Sequence, residues 1–197
     1  GAKPTQYRNA AEALLRRLDK HGDIPSISTL VDLGNLVSIR HAMPVAVFDR
    51  AHVAGSITVR FAEGTEPFTD LGSSETVTPE PGEVVFVDEE GVVCARRWCW
   101  RQSAQSATGP ATTEALLVVE GQHDAAGQDV EAAARDLVAL LAAHQPASET
   151  SSRVLSGRPA VELRSAVPED ASALAEIWRL GWRDAHDGRV PARRLRR

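Results

Sequence analysis

Between Ser28 and Asp49 the hydrophobic period of this chain changes once, at Pro44, and that change commits the region to a helix followed by a strand. Leu30, Leu33 and Val37 recur at helical spacing, and Ser28 stands where an N-cap serine accepts from the first turn. The helix is predicted to run to about His41. Gly34 in its middle costs about 1 kcal/mol relative to Ala, so its presence points to close packing or to the approach of a ligand. Beyond Pro44, Val45 to Phe48 is dense in strand-forming residues.

The flanking sequence extends this pattern into an α+β chain. Residues 8 to 21 predict an amphipathic helix with Ala11, Leu14, Leu15 and Leu18 as its apolar stripe, a capping pair Asn9 and Glu12, and Gly22 as its stop. Strands are predicted at Ser56 to Phe61, where Ile57, Val59 and Phe61 alternate, at Val84 to Val87, at Val92 to Arg96 and at Ala115 to Glu120. Asp88-Glu89-Glu90-Gly91 reads as the loop of a hairpin. Asp129 is expected to cap a last helix through His144, with Val130, Ala133, Leu137, Leu140 and Leu141 near helical spacing.

Composition divides the chain in three. Residues 1–145 form the main predicted domain, residues 146–159 are rich in Ser, Thr and Pro without apolar period and read as a linker, and residues 160–197 form a further segment. The overall charge of −5 is uneven. Through residue 145, 12 Lys and Arg stand against 20 Asp and Glu, a balance of −8; beyond it 10 stand against 7, a balance of +3. An acidic main domain argues against generic affinity for phosphate backbones, DNA included, and leaves room only for a local basic patch. The short apolar runs exclude a spanning helix, and no signal peptide opens the chain, so a cytoplasmic protein is expected. Cys94 and Cys99 are expected to be free structural thiols. The chain has no phosphate loop, dinucleotide fingerprint or metal-ligand spacing, so neither cofactor nor metal is expected.

Val31, Asp32, Asn35 and Val37 on the predicted helix, then Pro44, Phe48 and Asp49 on the strand, fall in register with two spaced blocks, V-D-x-x-N-x-V and P-x-H-A-F-D. Leu15-Arg16-Arg17-Leu18 precedes them as a helix. This arrangement resembles the B3/B4 domain of the bacterial phenylalanyl-tRNA synthetase beta subunit. The resemblance implies an α+β fold of mixed sheets with unusual connectivity, flanked by helices. It also implies a site that binds the aminoacyl end of a tRNA and hydrolyses a wrongly attached amino acid. The chain departs from the family's pattern at three places: its His is Ala46, its Thr is Gly34, and its Gly-Gly-Glu run is Trp100-Arg101-Gln102. A pocket refitted for another acyl group is implied. Beyond the linker, Val161 to Asp170 and Gly181 to His186 resemble the opening strand and helix of a GNAT-type acetyltransferase, without its glycine-rich loop; a fused acetyltransferase downstream is the expectation this carries.

Arg96-Arg97-Trp98-Cys99-Trp100-Arg101-Gln102 is the second informative segment. Read as one strand, it places Trp98 and Trp100 on one face and Arg97, Cys99 and Arg101 on the other. Aromatics flanked by arginines stack a ring and hold a phosphate or carboxylate; the alternative is two core tryptophans beside a solvated basic face. The expected binding residues are therefore Gly34, Asn35, Ala46, Arg97, Trp98, Trp100, Arg101 and Gln102, around a pocket floored by the second helix and walled by the tryptophan strand. Asp32, Asn35 and Asp49 also read as structural groups bonding to nearby backbone, and His41 as a base near Asp49 or a favourable charge at a helix end. No nucleophile elbow is present. The function expected is binding of an aminoacyl-tRNA end with ester hydrolysis. The alternatives are a non-catalytic module for an amino-acid-like ligand or a protein partner, and an N-terminal appendage of an acetyltransferase.

Overall fold

Helix α1 spans Ala10–His21 because Asn9 Oδ1 accepts from Glu12 N–H at 2.7 Å and Gly22, at φ 76°, closes it by bonding back to Leu18. Helix α2 spans Thr29–His41, opened by Ser28. Ala42 ends it in the left-handed region, and the chain turns through Met43 and Pro44 into β1, Val45–Asp49. The computed structural model describes residues 9–155. A 3-10 turn, Arg50–His52, follows β1. The remaining strands are β2 (Thr58–Phe61), β3 (Phe68–Thr69), β4 (Thr76–Val77), β5 (Val84–Val87), β6 (Val93–Arg96), β7 (Arg101–Gln102) and β8 (Ala115–Val119), before helix α3, Ala126–His144.

The strands form three antiparallel groups: a ribbon β1-β8, a sheet ordered β2-β5-β6-β7, and the pair β3-β4. Strand alternation in the ribbon sets the layers. Val45 and Val47, with Leu117 and Val119, lie against the helices, where Leu33, Val37, Met43, Ala133, Leu137 and Leu141 form one core. On its other side Ala46 and Phe48, with Leu116 and Val118, meet Phe86, Cys94, Ala95 and Cys99 in a second core. Phe68, Val85, Val87 and Val93 make a third. Full burial of each large side chain contributes about 1.5–3 kcal/mol, so the ribbon is held from both faces.

Three expectations change. Helix α3 begins at Ala126 rather than after Asp129; Ala125 offers no side-chain cap, and Asp129 sits in the first turn, where its carboxylate complements the helix dipole and pairs with His123 at 2.6 Å. The alternation in β2 does not mark a buried face: β2 is an edge strand with Val59 and Phe61 exposed, and of this set Ile57 packs on the core. Strands β3, β4 and β7 have two residues each and are too short to leave a period. After His144 the chain turns at residues 145–148 and continues exposed, without helix or strand, to Leu155. The chain divides into one unit of residues 1–155 and another of residues 156–197, and the acetyltransferase-like segment lies outside the described residues. No helix among the described residues is long and apolar enough to cross a membrane.

Candidate functional site

Residues 97–100 are not strand. The ladder between β6 and β7 pairs Ala95 with Gln102 and Arg96 with Arg101, which leaves Arg97, Trp98, Cys99 and Trp100 as the connecting turn. Arg97 and Trp98 both adopt the left-handed region, φ 52° and 62°, at a cost of about 1–2 kcal/mol each for residues with a Cβ. Two acceptors from the start of β5 hold them there. Glu83 Oε1 accepts the Arg97 N–H at 2.9 Å, and the Val84 carbonyl accepts the Trp98 N–H at 3.1 Å. Glu83 also takes the fork of Arg96, Nε to Oε1 at 2.9 Å and Nη2 to Oε2 at 2.7 Å. Burial alone would raise the Glu83 carboxyl, but Arg96 and the Arg97 N–H outweigh it and hold it below the usual carboxylate range.

The turn sends its tryptophans to different places, correcting the expectation of a shared strand face. Trp98 packs on the core of Ala46, Phe48 and Cys99, and its indole N–H donates to Glu120 Oε2 at 2.9 Å. Trp100 lies instead beside two guanidiniums, Arg97 Cζ at 5.8 Å and Arg101 Cζ at 5.9 Å from its ring centre, within cation–π range. Arg101 pairs with Asp70, through Nε at 3.0 Å and through Nη2. Gln102 is turned inward: its amide donates to the carbonyls of Val47 at 2.5 Å and Ser106 at 3.3 Å, stitching β7 to β1 rather than presenting a ligand group.

Gly34 and Asn35 do not join this cluster. A Cβ on Gly34 would stand 3.2 Å from Val47 Cγ2 and 3.4 Å from Val45 Cγ1, so the glycine permits α2 to pack on the helix side of the ribbon. Ala46 and Trp98 lie on the opposite side. The ribbon therefore separates the expected floor of the pocket from its expected wall. Asp32 bonds Ser26 Oγ and the Ile27 N–H, and Asp49 accepts from Thr112 Oγ1 at 2.6 Å and from the Ala51 N–H, so both act as backbone and loop clamps. His41 contacts Asp136 at 3.1 Å rather than Asp49.

Glu120, Glu83 and Asp70 are the residues that sequence reasoning missed. Glu120 follows directly on the apolar run of β8; a lone acid continuing such a strand was the available signal. Burial pushes its carboxyl above the usual carboxylate range, against the opposing pull of the Cys99 thiol and the Trp98 N–H. Burial, and then the Glu120 charge, push the Cys99 thiol up; burial pushes Cys94 to about 11. Both thiols stay protonated at neutral pH and neither is a nucleophile. Among the described residues no cluster of three or more His, Cys, Asp or Glu side chains could hold a metal ion.

The partly buried carboxyl of Glu120 thus stands beside a strained, arginine-bearing turn on an α+β frame. The sequence model of the B3/4 domain family matches residues 1–143, and the chain belongs to that family. The phenylalanine–tRNA ligase beta subunit of Neisseria gonorrhoeae is 40% identical over 78 residues, which are 40% of this chain and 10% of that protein. The same subunit of Streptomyces avermitilis is 38% identical over 81 residues, 41% of this chain and 9% of that one. The chain thus spans about a tenth of the length of these relatives. A crystal structure of an N-terminal fragment of the phenylalanyl-tRNA synthetase beta subunit from Pyrococcus horikoshii superposes with a TM-score of 0.48 at 18% identity, covering 57% of this chain and 39% of that one.

Proposed function

We propose that this domain binds the aminoacylated end of a tRNA and hydrolyses the ester of a wrongly attached amino acid. The observation that carries the reading is Glu120. Its carboxyl is partly buried, accepts the Trp98 indole N–H at 2.9 Å and is held above the usual carboxylate range by burial, and a carboxylate so placed can take a proton from an attacking water. Such hydrolysis needs a placed water and donors toward the developing oxyanion rather than a protein nucleophile, in keeping with two protonated thiols. Membership of the B3/4 family, and relatives named as phenylalanine–tRNA ligase beta subunits, support the substrate class. Arg97, Trp100 and Arg101 supply the local patch through which an otherwise acidic domain meets RNA.

Deacylation of a panel of mischarged tRNAs by the purified protein tests this reading. Release from a subset of the panel is expected, with Glu120→Gln losing release while retaining tRNA binding. Binding without release from any member would leave the alternative, a non-catalytic module. One observation favours a protein partner for such a module: Val59 and Phe61 stand exposed on the edge strand β2, a face suited to cover by another chain.

A further inference from the structure

Two ion pairs stand side by side where β6 meets β7. Arg96 and Arg101 are directly paired across the ladder, so their side chains project from the same face. The Arg96 pair is internal: the side chain of Arg96 is 11% exposed and that of Glu83 only 1%. The Arg101 pair is external, with Arg101 at 43% and Asp70 at 31%. The inner pair also carries the turn through the Arg97 N–H, so it is part of the frame. The outer pair is coupled to the inner one by charge, since Glu83 and, after it, Asp70 raise the Arg96 guanidinium, while the Asp70 carboxylate hydrogen-bonds Arg101. A partly exposed ion pair of this kind adds little to stability and is readily exchanged.

Asp70 is fixed by its backbone rather than by Arg101. It bridges to Ser103, two residues beyond Arg101, and its carbonyl accepts the Ser73 N–H at 3.0 Å. Its backbone position beside Arg101 thus does not depend on the pair, and its carboxylate can leave the guanidinium by rotation about its own side-chain bonds. Arginine takes a carboxylate and a phosphate with the same fork of N–H donors. Arg101 also lies beside the Trp100 ring, and a phosphate with an adjoining stacking surface is the pattern by which single-stranded nucleic acid is held.

We propose that Asp70 is a built-in competitor for a phosphodiester: it occupies the anion seat on Arg101 beside Trp100, and the single-stranded end of an RNA binds by displacing it. This rests on the tRNA-end reading above and adds a residue that sets its affinity. A seat already neutralised from within gives a weak wild-type complex and prevents an acidic domain from holding RNA indiscriminately.

The test is binding of the full chain to an RNA acceptor-stem hairpin with a single-stranded CCA end, across a salt series. Asp70→Asn keeps the side-chain shape and the backbone bridge and removes the charge; Asp70→Ser serves as a second variant, and thermal unfolding confirms that each is folded. Asp70→Asn is expected to bind about two- to fivefold more tightly, the range set by losing one exposed ion-pair competitor. Its plot of log affinity against log salt should steepen by about one unit, because one more arginine then releases counterions on binding. In Asp70→Asn/Arg101→Gln the gain should vanish. Wild-type binding that Asp70→Asn leaves unchanged or weakens overturns the role of Asp70 alone. A gain that survives Arg101→Gln overturns the assignment of the seat. No binding by either wild type or Asp70→Asn removes the tRNA-end reading together with this one.

Discussion

The Trp98 indole N–H donates to Glu120 Oε2 at 2.9 Å, tying the turn after β6 to the residue that follows β8. This bond joins two segments 22 residues apart and seats a carboxyl in a setting where burial raises its titration. A carboxyl titrating above its unfolded value makes the folded state bind its proton more tightly. Its contribution is complete below the ordinary carboxylate range and is lost as the pH rises through the folded titration. Thermal unfolding from about pH 4 to about pH 8 should therefore show wild type losing stability relative to Glu120→Gln as the pH rises. Parallel curves for the two proteins would show that Glu120 titrates normally.

Glu83 decides whether the turn can hold its left-handed residues. Glu83→Ala removes the partner of Arg96 and the acceptor of the Arg97 N–H together, and should cost about 3–5 kcal/mol in denaturant unfolding, as for a buried pair broken on one side. Because its carboxyl is held low, the stability it gives is present above the ordinary carboxylate range and is lost as the pH falls through the folded titration. Arg97→Gly, which accepts φ 52° without a Cβ, should recover part of the loss in the double variant. Independent, additive effects would show that Glu83 does not support the turn.

The domain boundary is open to a simpler measurement. Residues 149–155 are exposed and carry neither helix nor strand, while α3 packs its Leu137 and Leu141 into the core. Limited proteolysis should first cut beyond His144 and release a fragment that keeps α3, its C-terminus between residues 145 and about 159 by mass. Early cutting inside α3, or resistance throughout residues 145–159, would contradict a division there.

Helices α1 and α2, strands β1, β5, β6 and β8 and the hairpin loop at Asp88 to Gly91 were legible because each follows a single local rule: a cap, a stop, or a run of strand formers between turn residues. The turn at Arg97 to Trp100 was not. Its left-handed residues are held by Glu83 and Val84 at the start of β5, more than a dozen residues upstream, and Arg-Arg-Trp-Cys-Trp carries no glycine or asparagine to announce them. Trp98 and Trp100 thus lose the shared face that alternation along a single strand assigns them. The same limit governs Glu120 and Asp70, whose roles depend on partners 22 and 31 residues away.

Gly34 gives the sharpest contrast between the two readings. As the floor of a pocket it would tolerate a threonine and change selectivity; as a contact between α2 and β1 it would not tolerate one. A Cβ there stands 3.2 Å from Val47 Cγ2, tighter than ordinary contact, with Val45 Cγ1 at 3.4 Å beside it. Gly34→Ala sets a helix gain of about 1 kcal/mol against a small outward shift of α2, so its stability should stay close to wild type. Gly34→Thr adds two branches toward the same valines, and overpacking of this kind costs about 1–3 kcal/mol. Val47→Ala should restore part of that loss by opening the space opposite, which a double-mutant cycle in denaturant would measure. If Gly34→Thr is instead as stable as Gly34→Ala and alters only which aminoacyl group is bound or released, α2 faces ligand at this position and the ribbon does not separate it from the site.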